Sequence, residues 1–356
     1  MRGGQKSLRD KELRMSFEYR KRLPVVEAIL EQLPVSPELA AVKRSRDREV
    51  ADIITGKSPK FLVIIGPCSA DNEDAVCAYV ARLATLQARV QDRLVLLPRI
   101  YTNKPRTTGI GYKGMAHQPD PNEDPNIVEG LIAIRRMHIR ALRESGLSAA
   151  DEMLYPENYP YLKDLLSYVA IGARSVENQA HRLTASGLDV PAGMKNPTSG
   201  DVSVMLNSVR AAQSPHIFSY NGWEVATTGN PLTHAILRGA MSPFGRPLPN
   251  HHYEDIIHLR KLYAESGLEH PAVVIDVSHA NSSRQFREQP RVAQEVVNSL
   301  KFEPQLRPFV RGIMVESYLV EGSQDVGGGV YGKSITDACL GWEDSQALVL
   351  RLAEQV

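Results

Sequence analysis

From Phe61 to the C-terminus, short apolar runs alternate with longer stretches in which apolar residues recur every three or four positions. A short apolar run between turn signals fits a buried strand, and the longer spacing fits an amphipathic helix. Eight such runs stand out: Phe61 to Ile65, Leu94 to Arg99, Ala149 to Leu154, Tyr168 to Ala173, Pro191 to Lys195, Ala235 to Arg238, Ala272 to Val277 and Gly312 to Val315. Among the helices, Glu73 to Val90 has Asp71 as its expected cap, an acidic first turn, and Ala75, Val76, Tyr79, Val80 and Leu83 on one face. Ser-Gly-Leu recurs at 145, 186 and 266, each time where a helix should end on a left-handed glycine. Asn221-Gly222, inside Pro215 to Leu232, predicts a β-hairpin inserted between two of these units. Pro98 is awkward, because a strand proline removes a ladder donor and needs a bulge or an edge.

Residues 1–57 read as an N-terminal extension and residues 58–356 as one catalytic unit. The extension starts with a basic head, continues as a short helix around Val25 to Leu33 closed by Pro34, and ends in a second helix. That helix is opened by Ser36 with Pro37 and stopped by Gly56. An apolar helical face outside a closed barrel must pack somewhere, so the extension suggests subunit contacts, with its own barrel an equal alternative.

The residues at the C-terminal ends of the eight runs are Cys68, Arg99, Glu152, Arg174, Lys195, Arg238, His279 and Glu316. Every one is polar or reactive. A (β/α)8 TIM barrel requires this, since its active site draws on the C-terminal ends of many strands. An open doubly wound sheet would instead concentrate function at one switch point.

Composition narrows the partners. The 42 Lys and Arg nearly balance the 41 Asp and Glu, so no overall field favours nucleic acid or an anionic membrane. Small molecules are the expected ligands. No run reaches the ~18 apolar residues of a membrane span, the N-terminus lacks a signal-like apolar core, and three unpaired-looking cysteines fit a reducing compartment. A cytoplasmic location follows as the expectation.

Three groupings carry chemistry. The loop Arg99 to Gly114 holds Lys104, Arg106 and Lys113 with Thr107 and Thr108, a set suited to gripping a small anion. Cys68, His279, Glu316 and Asp337 offer a thiol, an imidazole and two carboxylates, a mixture suited to one borderline divalent ion such as manganese, iron, cobalt or zinc. Taken singly, each has an ordinary reading: a buried cysteine, a core histidine, a capping aspartate. Arg99, Arg174, Lys195 and Arg238 at strand ends would be costly if unpaired. Glu152 and Glu177 could pair with some of them, and the excess implies phosphate and carboxylate ligands. Gly327 to Ser334 also matches the G-x-x-x-x-G-K-S phosphate loop of nucleotide-binding proteins, but no buried strand leads directly into it, and a glycine-rich lid explains the same residues.

Longer ordered motifs are Ile65-Gly-Pro-Cys-Ser69, Lys104-Pro-Arg-Thr-Thr108, Ile171-Gly-Ala-Arg174, Ile236-Leu-Arg-Gly239, Asp276-Val-Ser-His-Ala-Asn-Ser-Ser283, Met314-Val-Glu-Ser317 and Tyr331 to Asp344. In these the chain resembles the type I 3-deoxy-D-arabino-heptulosonate 7-phosphate (DAHP) synthases over nearly everything after Lys57. The resemblance implies condensation of phosphoenolpyruvate with erythrose 4-phosphate on a metal-dependent barrel, the opening step of the shikimate pathway. It implies Cys68, His279, Glu316 and Asp337 as metal ligands, and Arg99, Lys104, Arg174, Lys195 and Arg238 around phosphoenolpyruvate. Arg106 and Thr107 would face erythrose phosphate, Lys104 would protonate the new alkoxide, and Glu152 would handle the attacking water. A homodimer or homotetramer is expected. The short hairpin around Trp223 and Asp189 in place of a small hydroxyl residue imply weak or altered feedback by aromatic amino acids. A related synthase using another sugar phosphate is the alternative.

Overall fold

The computed structural model describes residues 17–106 and 108–356, so the expected basic head falls mostly outside the described residues, and Thr107 does too. Eight parallel strands form the centre: β1 Phe61–Gly66, β2 Leu94–Pro98, β3 Ala149–Glu152, β4 Leu166–Ile171, β5 Ala192–Lys195, β6 His234–Leu237, β7 Val273–Asp276 and β8 Val310–Glu316. Their order is β2-β1-β8-β7-β6-β5-β4-β3. The ends of that order meet where Arg99 pairs with Ala150 and the Ile100 N–H donates to the Ala150 carbonyl at 2.9 Å. The sheet therefore closes into the expected (β/α)8 barrel rather than an open doubly wound sheet.

Helices α1 Val26–Gln32 and α2 Pro37–Thr55 precede the barrel. Around it run α3 Glu73–Val90, α4 Ile127–Ser145, α5 Gln179–Ala185, α6 Val202–Gln213, α7 Tyr253–Ser266, α8 Gln289–Phe302 and α9 Trp342–Gln355. A 3-10 turn, Pro156–Tyr161, stands where the helix after β3 would be. Each strand is buried on both faces, and the period of two divides the core. In β1, Phe61, Val63 and Ile65 face the helices, while Leu62 and Ile64 join the barrel interior.

The β2–β3 seam explains Pro98. The Arg99 N–H bonds Ile65 of β1 and the Ile100 N–H bonds Ala150 of β3, so the alternation turns the Pro98 nitrogen toward the seam, where no regular ladder needs a donor. Lower in the seam, side chains replace the ladder. Gln87 bonds the Leu94 carbonyl at 2.9 Å and the Leu96 N–H at 2.6 Å, and Arg46 of α2 donates to the Leu96 carbonyl at 2.6 Å.

Helix α2 begins as expected, with Ser36 accepting from the Leu39 N–H and Pro37 in the first turn, and ends at Gly56 with φ 80°. Its fully buried Val50, Ile53 and Ile54 belong to the interior cluster with Leu62, Val95 and Tyr168. They plug the N-terminal end of the barrel. Burial of this kind contributes about 1.5–3 kcal/mol for each large side chain.

Several local expectations need correction. Asn72, not Asp71, caps α3 by accepting from the Ala75 N–H, while Asp71 accepts from the Tyr318 hydroxyl at 3.0 Å. Gly146 and Gly267 end helices in the left-handed region, but Gly187 has no positive φ; an added Cβ there would come within 2.9 Å of Thr227. The hairpin forms as Ile217–Tyr220 and Trp223–Ala226, with Asn221 and Gly222 at φ 49° and 82°. In the glycine-rich segment, Lys333–Ser334 pairs as a short strand with Val320–Ser323, and the next helix starts only at Trp342. A phosphate loop needs its Lys-Ser at a helix start, so that reading fails.

Candidate active site at the barrel mouth

Cys68, just beyond β1, is fully buried, and Lys104 donates to its Sγ at 2.8 Å. Donor atoms of Cys68, Glu316 and Asp337 all lie within 4.8 Å of one another. Burial pushes the Cys68 thiol up to about 11, with Glu316 adding to the rise and Lys104 opposing it. Burial also works against the Lys104 ammonium, but Cys68 and Glu316 outweigh it and keep the amine above its ordinary range. Asp337, at the open rim, is pushed up by burial yet held below the usual carboxylate range by Lys104, His279 and Arg284. His279 Nε2 is 3.8 Å from Glu316 Oε1, at the edge of this group. Its Nδ1 lies 2.9 Å from Asp276, which turns the other ring nitrogen toward the mouth.

Two of the four strand-end cations have carboxylate partners, although not the expected ones. Arg99 pairs with Glu316 at 3.0 Å, donates to the Pro67 carbonyl, and lies over the Tyr101 ring at 3.7 Å. Lys195 donates to Asp276 at 3.1 Å. Glu152 and Glu177 pair with neither. Asp276, wholly buried, would be disfavoured as an anion by that burial, but His279, Lys195 and Ser278 hold its carboxyl well below the usual range. Arg238 keeps a buried Nη1 with no hydrogen-bond partner among the described residues, and Arg174 is exposed at the rim. The mouth therefore retains cationic capacity after its internal pairs are formed.

Glu152 ends β3 half-buried, with its Oε1 so close to Gly172 that an added Cβ would sit 1.9 Å away. That close approach explains the glycine in Ile171-Gly-Ala-Arg174. Arg106 is half-buried on the loop after β2, with its guanidinium near the Pro105 carbonyl at 3.3 Å.

Three contributors were missed from sequence. Asp276 was seen only inside a motif, although Asp-x-x-His can place a carboxylate against an imidazole. Asp151 binds the Thr102 N–H and hydroxyl and the Glu152 N–H, anchoring the loop that carries Lys104. Its signal is an acid that directly follows the buried Ala149-Ala150 and precedes Glu152 in the same short strand. Arg284, with φ 60°, lines a cavity of about 220 Å³ with His279 and Asp337, and its only cue in the sequence is its place directly after the motif that carries His279.

The DAHP synthetase I family matches this chain over residues 32–350. The chain is 40% identical over 337 residues to a phospho-2-dehydro-3-deoxyheptonate aldolase of Haemophilus influenzae, covering 92% of this chain and 90% of that protein. It is 39% identical over 348 residues to the Phe-sensitive phospho-2-dehydro-3-deoxyheptonate aldolase of Escherichia coli K12, covering 95% of each. The solved phospho-2-dehydro-3-deoxyheptonate aldolase of Francisella tularensis superimposes with a TM-score of 0.89 at 32% identity, covering 96% of this chain and 98% of that one. A barrel that gathers these motif residues at its mouth and matches such relatives along nearly its whole length belongs to the DAHP synthetase I family.

Proposed function

We infer that the barrel mouth condenses phosphoenolpyruvate with erythrose 4-phosphate and water, giving DAHP and inorganic phosphate, the first step of aromatic amino acid biosynthesis. The observation that carries this reading is Lys104 Nζ, 2.8 Å from Cys68 Sγ, beside Glu316 and Asp337 and within a ring of cations. The family implies a divalent metal ion, and the donor set fits one: a thiol and two carboxylates converge within 4.8 Å, with His279 alongside. Cys68, His279, Glu316 and Asp337 would hold the ion. When bound, it would supply Lewis-acid polarisation of the aldehyde oxygen.

The chain's own residues account for the remaining chemistry. Arg238, Arg174, Lys195 and Arg99 hold the phosphate and carboxylate of phosphoenolpyruvate, with Lys195 and Arg99 aimed by Asp276 and Glu316. Arg106 and Thr107 meet the phosphate of the sugar. C3 of phosphoenolpyruvate attacks the aldehyde carbon, and Lys104, charged and adjacent, gives a proton to the new alkoxide. Water adds at C2 while Glu152 takes its proton. Phosphate then leaves as C2 becomes the ketone.

No helix among the described residues is long and apolar enough to cross a membrane, consistent with a cytoplasmic enzyme. Exposed Phe17, Tyr19 and Trp223 support homodimer or homotetramer contacts through the N-terminal segment and hairpin. The hairpin walls a cavity of about 530 Å³ that includes Asp189, which supports altered feedback by aromatic amino acids.

The test follows phosphoenolpyruvate absorbance with manganese and erythrose 4-phosphate, repeated with arabinose 5-phosphate, with chelator, and with each aromatic amino acid. Loss with the four-carbon sugar alone, stopped by chelator and little affected by the amino acids, is expected. Loss only with arabinose 5-phosphate would overturn the substrate assignment, and activity undiminished by chelator would overturn the metal assignment.

A further inference from the structure

We propose that His251, His252 and Glu295 form a second cation site, outside the barrel mouth, for a borderline divalent ion such as zinc or nickel. One donor atom from each lies within 4.8 Å of the others. Two imidazoles with a carboxylate suit these ions better than magnesium or calcium. Tetrahedral zinc, with bonds of about 2.0–2.2 Å, keeps its donors about 3.3 Å apart, so a modest closure completes the site.

The surroundings hold the donors in register. His251 is buried and stacks on His252 with centroids 4.4 Å apart and planes at 28°. His251 Nε2 already faces Glu295 Oε2 at 2.6 Å, a contact in which an ion can replace the shared proton. Asp255 Oδ2 lies 3.1 Å from His252 Nδ1, so a proton on that nitrogen leaves Nε2 free as a donor, the carboxylate-histidine arrangement common behind metals. Arg291 engages the other oxygen of Glu295 at 2.6 Å and leaves Oε2 for the ion.

The site joins the start of α7 to α8. Neighbouring Asn250 accepts from the Gly239 N–H at 2.7 Å and donates to Asn196, which in turn accepts from the Arg238 N–H at 2.9 Å. A bound ion would therefore brace the turn that carries Arg238.

The experiment strips the full chain with chelator, dialyses it against zinc and counts ions per chain for the parent, His252→Ala, Glu295→Gln and Cys68→Ala proteins. Two ions are expected for the parent and one for each variant. His252 is exposed and Glu295 half-buried, so their substitution leaves the core untouched. One ion in the parent, or an unchanged count in His252→Ala, would overturn the proposal. Cobalt gives a second reading: visible bands of a nitrogen and oxygen site should persist in Cys68→Ala and disappear when His252→Ala is added. Their absence from folded Cys68→Ala would also overturn it.

Discussion

At the N-terminal end of the barrel the strands close over Val50, Ile53 and Ile54 of α2, whereas at the C-terminal end they close over Arg99, Lys195, Asp276 and Glu316, which are buried almost as completely. The lower plug is stabilised by transfer of apolar area from water and needs no partner of particular chemistry. The upper layer contains charges whose desolvation is costly, and it persists because Arg99 meets Glu316 and Lys195 meets Asp276. The lower end can be optimised for stability alone. The upper end gives up that freedom to present aimed charges, among them Arg238, whose buried Nη1 has no hydrogen-bond partner among the described residues.

Substitutions at the two ends should therefore separate activity from stability. Lys104→Ala at the upper end should lower turnover about 10²–10⁴-fold, the range for loss of a positioned proton donor. Its urea midpoint should stay near that of the parent, because the buried Lys104 contacts the Cys68 thiol and makes no ion pair among the described residues, so its loss strands no paired carboxylate. A variant with near-normal turnover would remove Lys104 from the mechanism, and a large fall in midpoint would mean that the mouth is structural as well.

Ile53→Ala at the lower end should do the reverse. Deleting a fully buried side chain from a closed interior costs about 2–5 kcal/mol, read as a lower urea midpoint, while turnover measured well below the transition stays at the parental value. A matching fall in turnover would show that the plug also positions the strand ends above it, and the contrast between the ends would fail.

Sequence and structure differ most where two distant strands meet. The barrel was legible because each apolar run is short, bounded and ends in a polar group. The hairpin was legible because Asn221-Gly222 permits positive φ at both turn positions. The destination of α2 was not, since periodicity identifies an apolar face without saying what it faces. The partners of Arg99 and Lys195 were equally hidden: Glu316 and Asp276 lie 217 and 81 residues away, and only barrel closure brings them together. The seam hydrogen bonds of Gln87 and Arg46 have no sequence signal at all, because a surface-type residue on a helix gives no hint that a strand lacks a neighbour.

Asp151 lies between the two regimes, as an acid in a strand between the core residues Ala149 and Ala150 and the half-buried Glu152 at its mouth end. Burial pushes its carboxyl up to about 7 from 3.8, even though hydrogen bonds from Thr102 and Glu152 pull it down. Between those values the folded chain keeps a proton that the unfolded chain has released. Its contribution to stability is therefore full below 3.8 and is lost as pH rises through about 7. Asp151→Asn keeps the shape and an acceptor for the Thr102 and Glu152 N–H groups but cannot ionise. Relative to this variant, the parent should lose about 1 kcal/mol of stability as pH rises from about 6 to about 8, measured as the widening gap between their urea midpoints. A constant gap would mean that the carboxyl is ionised throughout, making Asp151 another buried anion of the upper, charged layer.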